Sequence, residues 1–135
     1  MWRWTNSQAH LNDHVYYYWF RHHPPFPKTS PYYEWGPSHF AELWYVFDHL
    51  NQEPWAWNDQ DRKMADTMAA YWTNFVKSAN PSGQGLAYWP PYRGDNRNVL
   101  YLADPITTGS VPGAPRLASI TAMYSKVDSK TSQEH

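Results

Sequence analysis

The chain runs through blocks of apolar and polar positions whose periods predict its elements. Trp4, Gln8 and Leu11 recur at near-helical spacing, so residues Met1 to Leu11 read as a short helix closed by the Asn12-Asp13 turn signal. Val15-Tyr16-Tyr17-Tyr18-Trp19-Phe20 follows, six β-branched and aromatic residues without a polar interruption. That run reads as a strand buried on both faces, the kind found inside a parallel or mixed sheet. Such a strand needs neighbours on both edges, and the rest of the chain does not obviously supply them. Arg21 to Trp35 carries Pro24, Pro25, Pro27 and Pro31 and reads as a loop. Gly36-Pro37 opens a turn, and the residues from Ser38 to Leu50 read as a helix with Phe40, Leu43, Trp44, Phe47 and Leu50 on one apolar face.

Glu53 to Trp57 reads as a connecting loop, and Asn58 or Asp59 as the N-cap of a longer helix ending near Ser78. Met64, Met68, Tyr71, Trp72 and Phe75 form its apolar stripe, while Arg62, Asp66, Thr73 and Lys77 face away. Asn80-Pro81-Ser82-Gly83 stops it: Asn tolerates a left-handed backbone and proline cannot continue a helix. Leu86 to Asn98 reads as a loop, Val99 to Leu102 as a short strand, Asp104 to Pro115 as turns and Arg116 to Tyr124 as a last, weak helix. The expected organisation is one domain over residues 1–124 and a polar, frayed tail over 125–135.

Composition changes this picture at one point. Nine Trp, eleven Tyr and five Phe make 19% of the chain, yet the mean hydropathy is −0.81. Exposing all these rings would create apolar patches far larger than a soluble monomer carries, so they line a groove or face a partner. A net charge of −1, with no basic run longer than two residues, argues against nucleic acid as a partner. The absence of cysteine removes disulfides and thiolate metal sites and leaves the cellular compartment open. No secretory leader is evident at Met1 to Asn6, and no run of apolar residues is long enough to span a bilayer.

The candidate chemistry is sparse. Gly36-Pro37-Ser38-His39-Phe40 approaches the G-x-S-x-G nucleophile elbow but lacks its second glycine, and Phe40 would crowd that turn. The serine nucleophile therefore reads as absent. His10, His14, His22 and His23 do not form a metal-ligand spacing and read as solvated histidines. Asp59, Asp61 and Asp66 read as carboxylates favoured at the start of a helix. No cofactor-binding glycine motif is present, so neither a cofactor nor a metal is expected. His39 sits where loop becomes helix, with Glu42 three residues on. A side chain there is held by the helix yet projects from its end, which suits an imidazole aimed into a cleft and equally suits a cap or surface residue. Trp55, Trp57, Trp89 and Tyr92 sit in loops and could stack on sugar rings, or simply pack.

The order of these pieces resembles a known family. A strand V-Y-Y-Y-x-F, a Pro-rich loop, G-x-x-H-x-x-E-L-x-Y-V-F, a helix ending Y-W-x-N-F-x-K-x-x-N-P-x-G, then W-P-x-Y and a short strand are similar to the C-terminal quarter of type-B carboxylesterases. That family of α/β hydrolases includes cholinesterases and para-nitrobenzyl esterases. The similarity runs from about Met1 to about Tyr124. It implies an α/β fold class: a C-terminal fragment of an α/β-hydrolase fold with one buried strand, two main helices, one short strand and long Pro-rich loops. It also implies that His39 is the general base of a Ser-His-Glu/Asp triad acting on a small-molecule carboxylic ester. Glu42 matches the family's acidic residue one turn later, an anchor for the helix start or a polar contact beneath the histidine loop, not the triad acid. Phe40 replaces the glycine often found after the histidine. The serine, the oxyanion donors and the triad acid lie upstream in the family and are not among these residues. This chain is therefore expected to be inactive alone and to need the missing N-terminal part of the fold. The alternative is a non-catalytic module, derived from an esterase, that uses its aromatic loops on a ligand or partner.

Overall fold

The computed structural model describes residues 2–93 and 98–131, with residues 125–131 described by their backbone alone. In chain order the helices are α1 (Trp2–Ala9), α2 (Leu43–Val46), α3 (Asp59–Ser78) and α4 (Ala114–Thr131), with strands β1 (Tyr18–Phe20), β2 (Asn98–Leu102) and β3 (Thr107–Ser110). The strands form one sheet in the order β1-β2-β3. β1 and β2 run parallel with Tyr18 opposite Leu100, and β2 and β3 run antiparallel with Val99 opposite Gly109. A parallel pair cannot be joined by a tight turn, and here the connection contains the Pro-rich loop, α2 and α3.

Sheet alternation sorts the core into two layers. Leu100 and Leu102 of β2 join Phe20, Met64, Ala65, Met68, Tyr71 and Trp89 on the α3 side. Val99 joins Val15, Tyr92 and Val111 on the other side, against Leu117 of α4. Each large apolar side chain buried there contributes roughly 1.5–3 kcal/mol. Gly109 is required by this packing, since a Cβ on it would meet the Tyr101 ring at 2.9 Å. That ring crosses the strand, and its hydroxyl donates to the Ser110 carbonyl at 2.8 Å.

Helix α3 starts as expected. The Asn58 side chain accepts from the N–H groups of Gln60 and Asp61 at 2.7 and 3.1 Å, and Asp61 Oδ2 accepts from the Asn58 N–H at 2.9 Å, a reciprocal capping box. The helix ends at Ser78, where the sequence places its end. Ala79, not Asn80, takes the left-handed conformation (φ 55°), and its N–H donates to the Phe75 carbonyl. Asn80 is used one step later, its side chain accepting from the Ser82 N–H at 3.0 Å.

Other expectations are corrected. β1 is three residues long and, among the described residues, lies at an edge of the sheet, with Trp19 exposed beneath the Arg21 guanidinium. One of its two neighbours is in this chain after all, namely β2. The helix predicted up to Leu50 shrinks to the single turn of α2, followed by a 3-10 turn at Leu50–Gln52. Its buried positions are Ala41, Tyr45 and Leu50, whereas Phe40, Leu43 and Phe47 are exposed. The stretch Asp104 to Pro115, read as turns, contains β3. Helix α4 continues beyond Tyr124 to Thr131, while 132–135, the end of the expected tail, lie outside the described residues. Part of the aromatic surplus packs on itself, while rings such as Trp4, Trp35 and Tyr88 stay exposed. Phe26, Trp44, Trp55 and Trp57 pack ring to ring with centroids 4.9–5.2 Å apart at Phe26–Trp55, Trp44–Trp55 and Trp55–Trp57, under the Pro-rich loop.

Candidate active site

The turn that carries His39 is built by backbone bonds. Ser38 N–H donates to the Gly36 carbonyl, Ala41 N–H to Ser38, and Leu43 N–H to Phe40, which delivers the chain into α2. Phe40 has φ 77°, a left-handed backbone that glycine adopts freely and that costs other residues roughly 1–2 kcal/mol. This is a physical reason for glycine to be favoured after the histidine. Held in that conformation, the Phe40 ring lies 4.2 Å from the His39 ring and is itself exposed.

The His39 side chain is 80% exposed and its Nδ1 lies 3.9 Å from Oε1 of Glu42, which is 12% exposed. That separation is an electrostatic contact and too long for a hydrogen bond. Among the described residues the imidazole has no hydrogen-bond partner. Glu42 is the residue preceding α2, and its side chain makes no capping hydrogen bond. The charge of Glu42 also contributes, after burial, to raising the pKa of Tyr18.

His39, Glu42 and Ser38 line one end of an open groove of about 480 Å³ whose floor is the segment from Val15 to Phe20. This groove follows the unpaired edge of β1. Leu100 N–H bonds the Tyr17 carbonyl and Arg21 N–H the Leu102 carbonyl. Since a parallel ladder uses alternate residues, Tyr18 and Phe20 turn their peptide groups to the open side. Chemically, the turn offers an accessible imidazole beside a shielded carboxylate at a sheet edge, and among the described residues no side chain hydrogen-bonds to that imidazole.

A second histidine has the support that His39 lacks. His22, read from the sequence as a solvated loop residue, is only 9% exposed and donates from Nε2 to Oδ1 of Asp61 at 2.7 Å. Asp61, read as a helix-start carboxylate, is 1% exposed and also accepts from the Tyr45 hydroxyl at 2.9 Å. Burial first, then the bond to Asp61, pushes the Tyr45 phenol far above the ordinary tyrosine range. The partners are 39 positions apart and share no spacing motif, so the only clue was Asp61 at the third position of the capping box.

The loop aromatics considered for sugar stacking do not form a platform. Trp89 (4% exposed) and Tyr92 (1%) belong to the core, and Trp55 and Trp57 are half-buried in the aromatic cluster. Among the described residues there is no group of three or more potential metal ligands, and no helix is long and apolar enough to cross a membrane.

Comparison with known proteins identifies the fold these elements come from. The chain is 37% identical over 113 residues to the bile salt-activated lipase of Rattus norvegicus, covering 79% of this chain and 18% of that protein. It is 33% identical over 93 residues to the cocaine esterase of Oryctolagus cuniculus, covering 66% of this chain and 18% of that protein. Its fold superimposes on solved para-nitrobenzyl (PNB) esterase structures, one with a TM-score of 0.72 at 25% identity over 87% of this chain and 24% of that one, another with 0.69 at 27% identity over 83% and 23%. The chain thus spans less than a quarter of each of these proteins, and its sheet and helices are part of an α/β-hydrolase fold. With the carboxylesterase family model matching residues 1–120, the chain belongs to the type-B carboxylesterase family.

Proposed function

We propose that this chain supplies the general-base histidine of a carboxylic ester hydrolase. In this reading His39 takes the proton of a serine nucleophile and returns it to the leaving alcohol, for which the ring must be neutral and must reach outward from its turn. The observation that carries the proposal is the placement of His39. It is an exposed imidazole on a backbone turn of special conformation, at the end of a groove that runs along an unpaired strand edge. The serine, the oxyanion donors and the triad acid come from protein outside these residues, docked against that edge. Glu42 holds the histidine turn electrostatically and is not the orienting acid.

Two assays test this. The 135-residue chain alone should hydrolyse p-nitrophenyl butyrate no faster than its His39→Ala variant. A chimera in which the chain replaces the matching segment of a PNB esterase should be active, and His39→Ala in that chimera should lower kcat by about 10⁴-fold. Activity of the isolated chain that depends on His39, or a chimera indifferent to His39, would refute the reading.

A further inference from the structure

We propose that Phe40 is a positioning residue that holds the His39 imidazole by ring contact, which rests on His39 being the general base. Phe40 is costly to the fold in two ways. Its φ of 77° is a left-handed backbone that any side chain with a Cβ disfavours. Its ring is also 61% exposed and belongs to neither core cluster, so burial does little to offset the strain. Strain kept at an exposed residue outside the core points to a use at a site.

The contact shows what that use is. In an extended chain, neighbouring side chains point to opposite sides. At this turn the left-handed backbone of Phe40 sets its ring beside the imidazole, with centroids 4.2 Å apart and planes tilted by 47°. Among the described residues, His39 is the ring against which Phe40 packs.

The imidazole has need of such a hold. No hydrogen bond fixes it among the described residues, and the 3.9 Å approach of Nδ1 to Glu42 does not set the plane of the ring. A general base must present one nitrogen in one direction, and a ring free to turn about its side-chain torsions spends little time doing so. An aromatic pair favours the rotamer that makes it, so Phe40 keeps the imidazole in one orientation. The phenyl ring has no hydrogen-bonding atom, so the hold leaves both imidazole nitrogens free for a proton donor and an acceptor. His39 lines the groove at β1 and Phe40 does not, so the groove stays open.

The PNB esterase chimera carrying this chain tests the role. Phe40→Leu keeps the strained backbone and loses the aromatic ring. It should lower kcat about fivefold with KM unchanged, while Phe40→Tyr keeps kcat within about twofold. Phe40→Gly should lose kcat likewise with a Tm no lower than the parent's, which separates positioning from folding. In the 135-residue chain, NMR should show nuclear Overhauser contacts between the ring protons of Phe40 and His39. Undiminished kcat in Phe40→Leu or Phe40→Gly, a loss confined to KM, an equal loss in Phe40→Tyr, or absence of the ring contact would overturn the proposal. If His39→Ala inactivates the chimera, those outcomes refute the role of Phe40 alone; a chimera indifferent to His39 refutes the base itself.

Discussion

His39 and His22 are two histidines of one loop system in opposite physical states. His39 is exposed, sits on a turn with a left-handed residue beside it and touches its nearest carboxylate only at 3.9 Å. His22 is buried, bonded at 2.7 Å to a carboxylate that two further donors hold in place. Seen without its family, the second would pass for the working dyad. The difference teaches that a supported imidazole and a poised one are distinct things. The His22 network ties the end of β1 to the start of α3, whereas the His39 ring has no hydrogen-bond partner among the described residues.

The sharpest way to break this contrast is to remove Asp61. Asp61→Ala leaves His22 and the Tyr45 hydroxyl without their buried acceptor and opens the capping box. Urea unfolding should show a loss of about 3–5 kcal/mol, against less than about 0.5 kcal/mol for His39→Ala. Equal losses at the two sites would end the comparison.

Alkaline pH sharpens it further. The folded Tyr45 phenol resists ionisation because it is buried and bonded to Asp61, while the unfolded phenol ionises near 10. A raised folded pKa means that the contribution is fully present below the unfolded value and is lost as pH rises above it. Stability should therefore fall above pH ~10 by about 1.4 kcal/mol per pH unit for each such group. Tyr16, Tyr17, Tyr18 and Tyr71 are raised too, chiefly by burial, so Tyr45→Phe should make the decline shallower without removing it. Below that range Tyr45→Phe should cost about 1–2 kcal/mol, for the lost bond. The smallest effect is expected at the exposed turn: Phe40→Gly relieves the left-handed strain and should raise stability by less than about 1 kcal/mol in thermal melts, part of the relief being offset by glycine's unfolded-state entropy.

Much of the fold was legible where signals are local. The helix start at Asn58 or Asp59 and the stripe through Met64, Met68 and Tyr71 could be read from spacing alone, and the ordered motifs around His39 carried the family. What escaped was decided at a distance. The helix expected up to Leu50 assumed that Phe40 and Phe47 would be buried, but the positive φ of Phe40 and of Asp48 breaks the run into short turns and rotates Tyr45 inward instead. β3 escaped because Thr107-Thr108-Gly109-Ser110 has no apolar alternation; it pairs by backbone with β2 and leaves its apolar cover to Tyr101. The His22–Asp61 pair escaped because its members are joined only by the closing of the sheet onto α3.

The β1–β2 pairing also carries an entropic cost that the other pairings do not. Tyr18 meets Leu100 about 80 positions along the chain, so closing that loop costs entropy before any ladder bond forms. The capping box of α3 and the β2–β3 hairpin close over a few residues each and can form first, presenting the apolar stripe of α3 and the inner face of β2. On these entropic grounds β1 pairs with β2 after those local closures, and its pairing brings His22 to Asp61.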